Sequence, residues 1–145
     1  MSDRAVSVPI FVTLNGSHAW NNTETIHDVD IFAVYAQDPS EVLVGDIPKP
    51  ECIQNLPLVD LNRFEIGHVV RQLEKGNINF IVGVMSPRVI VTSLWHKGLK
   101  RVFRDNPSRA LCNSILGLAE GHLKKYGDCV DDDLRLKKLA HAILS

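Results

Sequence analysis

Apolar residues recur along this chain at two spacings, and the spacing changes near residue 64. Ahead of that point the apolar runs are short and rich in β-branched and aromatic residues. Ile10 to Leu14 predicts a strand that stops at the turn-forming pair Asn15-Gly16. Val29 to Ala36 predicts a second strand, with Val29, Ile31, Ala33 and Tyr35 on one face and Asp30, Phe32 and Val34 on the other. Asp28 continues that second face. The segment Asp38 to Pro57 holds four prolines and one glycine, so a loop is expected there, with at most a short strand at Val42-Leu43-Val44. Leu58 to Leu61 predicts a third strand.

From Phe64 the period is helical. Ile66, Val69, Val70 and Leu73 make an apolar stripe, while Phe64, Gly67, His68, Arg71 and Glu74 mark the other side. Gly76-Asn77 closes that helix. Phe80 to Met85 and Val89 to Val91 are apolar runs whose state the periodicity leaves open. Helices are predicted over Leu94–Arg104, Arg109–Tyr126 and Asp133–Leu144, with start signals at Pro107-Ser108 and at Asp131 to Asp133. The whole pattern predicts a single domain of the α/β or α+β class. It is rich in sheet over residues 1–92 and helical over 93–145.

Composition changes this picture little. The chain has 145 residues, 45% hydrophobic and 23% charged, enough for a core without metal or disulfide staples. Lys+Arg is 16 against Asp+Glu at 17, which argues against nucleic-acid binding through bulk positive charge. Cys52, Cys112 and Cys129 form no C-x-x-C pair, so a reduced, cytoplasmic protein is expected. No stretch approaches the roughly 20 apolar residues of a membrane span.

The candidate chemistry lies between Gly16 and Asp30. On a strand, Asp28 and Asp30 point the same way, about 6.6 Å apart at roughly 3.3 Å per residue. Two carboxylates so placed can hold a pair of hard cations. A glycine between a strand and a helical turn lets backbone N–H groups approach a phosphate, and the Ser17 hydroxyl adds a donor. Together these two features predict a site for a nucleoside triphosphate. Other arrangements are weaker. The six histidines form no H-E-x-x-H or Cys/His cluster, which argues against zinc. Ser17 lacks the G-x-S-x-G elbow of a hydrolase. Cys112, in an apolar helix, reads as a core residue rather than a nucleophile. Lys97, Lys100, Arg101, Arg104, Lys124, Lys125, Lys137 and Lys138 read as solvated helix surface rather than an RNA-binding face.

Gly16-Ser17 followed by Asp28-Val29-Asp30 is similar to the G-S and D-x-D signature of the DNA polymerase beta-type nucleotidyltransferase superfamily. More narrowly, the chain resembles the predicted nucleotidyltransferase family that includes RNA-repair-pathway members, which reads G-S-R-A-Y-G and then S-D-x-D. Phe64-Glu65 opening a helix, Lys75-Gly76-Asn77 closing it, Ser86-Pro87, and Lys137 with His141 all resemble later parts of that family's pattern. His18, Trp20, Asn21, His27, Ile78 and Val82 depart from it, standing where the family has Arg, Tyr, Gly, Ser, Pro and an acid.

The resemblance implies a mixed sheet flanked by helices. It implies Asp28 and Asp30 as ligands of two Mg²⁺ ions, and Gly16, Ser17, His18, Lys137 and His141 as contacts to an NTP. The superfamily's third carboxylate falls on Asp60, by strand position, or on Glu65, by alignment; dipole stabilisation of the helix is the alternative for Glu65. The implied activity is Mg²⁺-dependent transfer of an NMP to a hydroxyl of an RNA end or a protein. The departures fit a second reading, a degenerate module binding a nucleotide or a helical protein partner.

Overall fold

The alternation in the first two apolar runs becomes a pair of adjacent antiparallel strands, β1 (Val8–Leu14) and β2 (Val29–Ala36). The structure is a computed structural model, and it describes residues 7–19, 29–45, 49–56, 58–106 and 108–126. Between β1 and β2 stands the single turn α1 (Gly16–Ala19). The helix predicted over Asp133–Leu144 lies outside the described residues.

After β2 the chain departs from the expected loop. Asp38 caps a short helix α2 (Pro39–Leu43) by accepting the Ser40 N–H at 2.8 Å, with Pro39 in the first turn where its missing N–H costs nothing. The strand expected at Val42-Leu43-Val44 is therefore a helix end. A strand the periodicity did not show, β3 (Glu51–Leu56), pairs antiparallel with β4 (Val59–Glu65). The third predicted strand is β4, which starts one residue later than expected and ends four residues later, and it carries Phe64 and Glu65 before the helix begins. Helix α3 (Ile66–Glu74) follows, then α4 (Ile78–Met85), β5 (Val89–Val91), α5 (Leu94–Asp105) and α6 (Arg109–Tyr126). The two undecided apolar runs are thus one helix and one strand.

The sheet is mixed, in the order β3-β4-β2-β1-β5, with β2 and β4 parallel and the remaining pairs antiparallel. The fold is α+β. Phe11 and Thr13 of β1, Phe32 and Val34 of β2 and Phe64 of β4 share one face, which the helices cover. Val69 and Leu73 of α3 and Ile81 and Val84 of α4 complete the buried cluster. Of the apolar stripe on α3, Val70 remains 37% exposed, so the buried line is narrower than the sequence suggests. The Thr13 hydroxyl donates to the Gly83 carbonyl at 2.7 Å, tying β1 to α4.

His96 of α5 is buried against the same face, its ring stacked on Phe11 at 4.0 Å. Its Nε2 lies 3.0 Å from the Val84 carbonyl, which can only accept, so Nε2 carries the proton. Nδ1 then accepts from the Thr92 hydroxyl at 3.1 Å. Burial holds the imidazole pKa below its ordinary value. No helix among the described residues is long and apolar enough to cross a membrane.

Candidate active site

One rim of the sheet collects the segments that carry the candidate chemistry. Because β1 runs antiparallel to β2 and β5 while β4 runs parallel to β2, this rim holds the end of β1 and the starts of β2, β4 and β5. Three backbone hydrogen bonds extend the pairing past the strand ends. Asn15 N–H donates to the Asp30 carbonyl at 2.8 Å, Val29 N–H to the Leu58 carbonyl at 2.8 Å, and Leu14 N–H to the Arg88 carbonyl at 2.9 Å.

Asp30 and Asp60 are in-register partners on the parallel strands β2 and β4. In-register residues point to the same side, and neighbouring strands lie about 4.8 Å apart, so both half-buried carboxyl groups rise from the helix-covered face side by side. Phe32 follows Asp30 on that face and is buried, with the Phe64 ring 4.9 Å from its own. The apolar layer thus ends where the acids begin.

Gly16 stands against this pair. Its φ is +59°, a conformation that side chains disfavour, and a Cβ there would lie 2.2 Å from Oδ2 of Asp30. Glycine lets the Asp30 carboxylate lie directly on the backbone that opens α1. Ser17 and His18 follow on α1. Asp28, Lys137 and His141 lie outside the described residues. Among the described residues no group of three or more His, Cys, Asp or Glu side chains is arranged to hold a metal ion. Asp30 and Asp60 contribute two carboxylates.

Glu65 is set apart from them. It ends β4 five residues beyond Asp60, about 16 Å away at roughly 3.3 Å per residue, and the odd separation puts it on the opposite face. It is 8% exposed, and its carboxylate accepts the His68 N–H at 3.0 Å as the N-cap of α3. Of the two candidates for a third carboxylate, only Asp60 lies at the rim. Glu65→Ala is expected to lower stability by about 1 kcal/mol through loss of the cap, and denaturant unfolding measures it; an unchanged midpoint would show that the cap contributes nothing.

The cationic surface read from the sequence holds for most of α5. Arg101 and Arg104 are exposed and pair with Asp105 at 3.7 and 3.1 Å. Lys100 differs, being half-buried with Nζ donating to the Ser86 carbonyl at 3.1 Å. Burial lowers its pKa.

Comparison with known proteins adds the following. The family model of the RNA repair pathway DNA polymerase beta family matches residues 2–144. The uncharacterized protein MJ0002 of Methanocaldococcus jannaschii is 29% identical over 119 residues, which are 79% of this chain and 49% of that relative. The chain therefore spans about half the length of that relative. No solved structure matches. Since the family match runs almost the whole length of the chain, through Gly16, Asp30 and Asp60 alike, the protein belongs to the RNA repair pathway DNA polymerase beta family and carries its nucleotidyltransferase type of fold.

Proposed function

We propose that the chain is a Mg²⁺-dependent nucleotidyltransferase that moves a nucleoside monophosphate from an NTP to a hydroxyl on an RNA end or a protein side chain. The observation that carries this reading is the in-register pairing of Asp30 with Asp60, with the Asp30 carboxylate lying on the Gly16 backbone. Carboxylate oxygens are the hard donors that Mg²⁺ takes, so the acids at the rim fit such ions, with Asp28 and Asp30 as the ligands. When bound, the metal supplies charge neutralisation at the α-phosphate and a more acidic acceptor hydroxyl.

The chain's own part is positioning. The Gly16 and Ser17 backbone would receive the phosphates, with His18, Lys137 and His141 as further contacts. Asp60, beside Asp30, would accept a hydrogen bond from the acceptor hydroxyl and aim its oxygen at the α-phosphorus. The new bond joins that oxygen to phosphorus as the bond to the β-phosphate oxygen breaks. The hydroxyl proton passes to a carboxylate, and pyrophosphate leaves. Cys112, expected in the core, is exposed on α6, and the free, exposed thiols at Cys52 and Cys112 suit a reducing compartment, the cytoplasm.

Val82 favours a second reading, a module that keeps the fold and binds nucleotide or a helical partner without turnover. It stands where the resembled family has an acid, and it is an apolar residue only 9% exposed in α4. Calorimetric titration with each NTP, with and without Mg²⁺, tests both readings. The wild type is expected to bind an NTP only with Mg²⁺, and Asp30→Ala to weaken that binding about 100-fold or more, since even outer-shell metal partners are worth about 10–100-fold. Binding without pyrophosphate release on any acceptor would select the module. No binding at all would sink the enzyme reading.

A further inference from the structure

Helix α5 turns one face inward, and its contacts settle which one. His96 is buried on Phe11, Leu99 and Phe103 pack against the core, and Lys100 bonds the Ser86 carbonyl. At about 3.6 residues per turn the outward positions fall into two parallel stripes. Trp95, Gly98 and Val102 make one, at i, i+3 and i+7. Lys97, Arg101 and Arg104 make the other, at i, i+4 and i+7. All of them are exposed, Trp95 at 78% and Val102 at 62%.

Each stripe narrows what can cover this face. Tryptophan and arginine are enriched at the centres of interfaces, and a row of apolar side chains this open leaves water only by meeting another surface. A Cβ on Gly98 would meet nothing within 4 Å, so the glycine makes room for no neighbour in its own chain. It weakens the helix, and it leaves a notch between Trp95 and Val102 that a side chain from outside can fill. The cationic row faces a single carboxylate, Asp105, which pairs with both arginines. The remaining positive charge calls for acids. A second copy does not supply them: two-fold pairing of this face sets cations on cations when the helices run antiparallel, and cations on the apolar row when they run parallel. A nucleic acid would use the cations and stack on Trp95, but it has no match for Val102 or for Leu94, which is 83% exposed.

From these two stripes we propose that the outward face of α5 docks an amphipathic helix of another protein. That helix lays an apolar row over Trp95, Gly98 and Val102 and an acidic row along Lys97, Arg101 and Arg104. The inference is independent of the chemistry at the rim and holds for an enzyme and a binding module alike. The probe is a fluorescein-labelled synthetic peptide of about 18 residues, five helical turns, with leucines on one stripe and glutamates on the next. Its control carries lysine in place of each glutamate. Fluorescence anisotropy with the full chain is expected to show binding of the glutamate peptide alone, weakened about 10-fold or more by high salt. Trp95→Ala and Arg101→Glu are each expected to weaken it about 10-fold or more, with melting temperatures near that of the wild type because both side chains are exposed. Gly98→Leu fills the notch with a better helix former, so it should raise the melting temperature and still weaken the peptide.

No binding of the glutamate peptide, or equal binding of the lysine peptide, would overturn the proposal. Wild-type affinity in Trp95→Ala and Arg101→Glu would do the same. Binding of an oligouridine strand in place of the peptide, lost in Arg101→Glu, would give the face to nucleic acid. A wild-type dimer in sedimentation that Trp95→Ala makes monomeric would give it to a second copy. Either result overturns the assignment to another protein.

Discussion

Gly16→Ala is expected to weaken Mg²⁺-dependent NTP binding about 100-fold or more while leaving a folded protein. Two costs meet at that position. With φ at +59°, any Cβ strains the backbone by about 1–2 kcal/mol. The same Cβ would lie 2.2 Å from Oδ2 of Asp30, so the carboxylate has to rotate away from the rim. The first cost lowers the melting temperature by about 3–7 °C in a domain of this size. The second removes the acid from its place beside Asp60, and the affinity loss should match that of Asp30→Ala. Titration and thermal unfolding on one preparation read both effects. An alanine variant that binds Mg²⁺–NTP like the wild type would show that the close contact between Gly16 and Asp30 has no part in the site.

The largest stability effect is expected at Phe32, two residues along the same face from Asp30. It is 2% exposed, with ring centroids of Phe64 at 4.9 Å, Phe80 at 5.6 Å and Phe11 at 6.2 Å. A Cβ on Gly83 would come within 2.7 Å of the Phe32 ring, so α4 is packed down onto it. Removing a buried phenylalanine costs about 3–5 kcal/mol. Total stabilities run about 5–15 kcal/mol, so Phe32→Ala is expected to be marginally folded at best. Urea unfolding measures it, and Phe32→Leu, which fills most of the space, should retain much of the stability. A loss under about 1 kcal/mol would place the centre of the core elsewhere. Because Phe32 anchors the strand that carries Asp30, Phe32→Ala should also weaken nucleotide binding, and Phe32→Leu much less.

Much of the site was visible in local pattern. The alternation in β2 put Asp30 on the face of Phe32 and Val34, and the Asn15-Gly16 pair marked where β1 stops. The helices α3, α5 and α6 followed from their periods and caps. The missed elements share a physical cause. Prolines 48, 50 and 57 flank the edge strand β3, and its hydrogen bonds go to β4, so nothing local marks it as a strand. In α2, Pro39 sits at the start of a helix capped by Asp38, a position where proline is tolerated but where its presence reads as a loop. Helix α4 is apolar on most sides because much of it is buried, which erases the period that would name it.

The sequence by itself determined which residues share a face, where β1 turns, and the spacing of Gly16, Ser17, Asp28 and Asp30 on which the proposed phosphate and metal site rests. Those properties depend on neighbours a few positions away, through the strand and helix periods and through backbone freedom at glycine. Only the tertiary structure put Asp60, and not Glu65, beside Asp30. That outcome depends on β4 running parallel beside β2 in the register that pairs residue 30 with residue 60. It also brought Arg88 to the segment before Gly16, through a hydrogen bond between residues 74 positions apart, 14 and 88. Strand register is set by hydrogen bonds and packing between distant segments, and no local period encodes it.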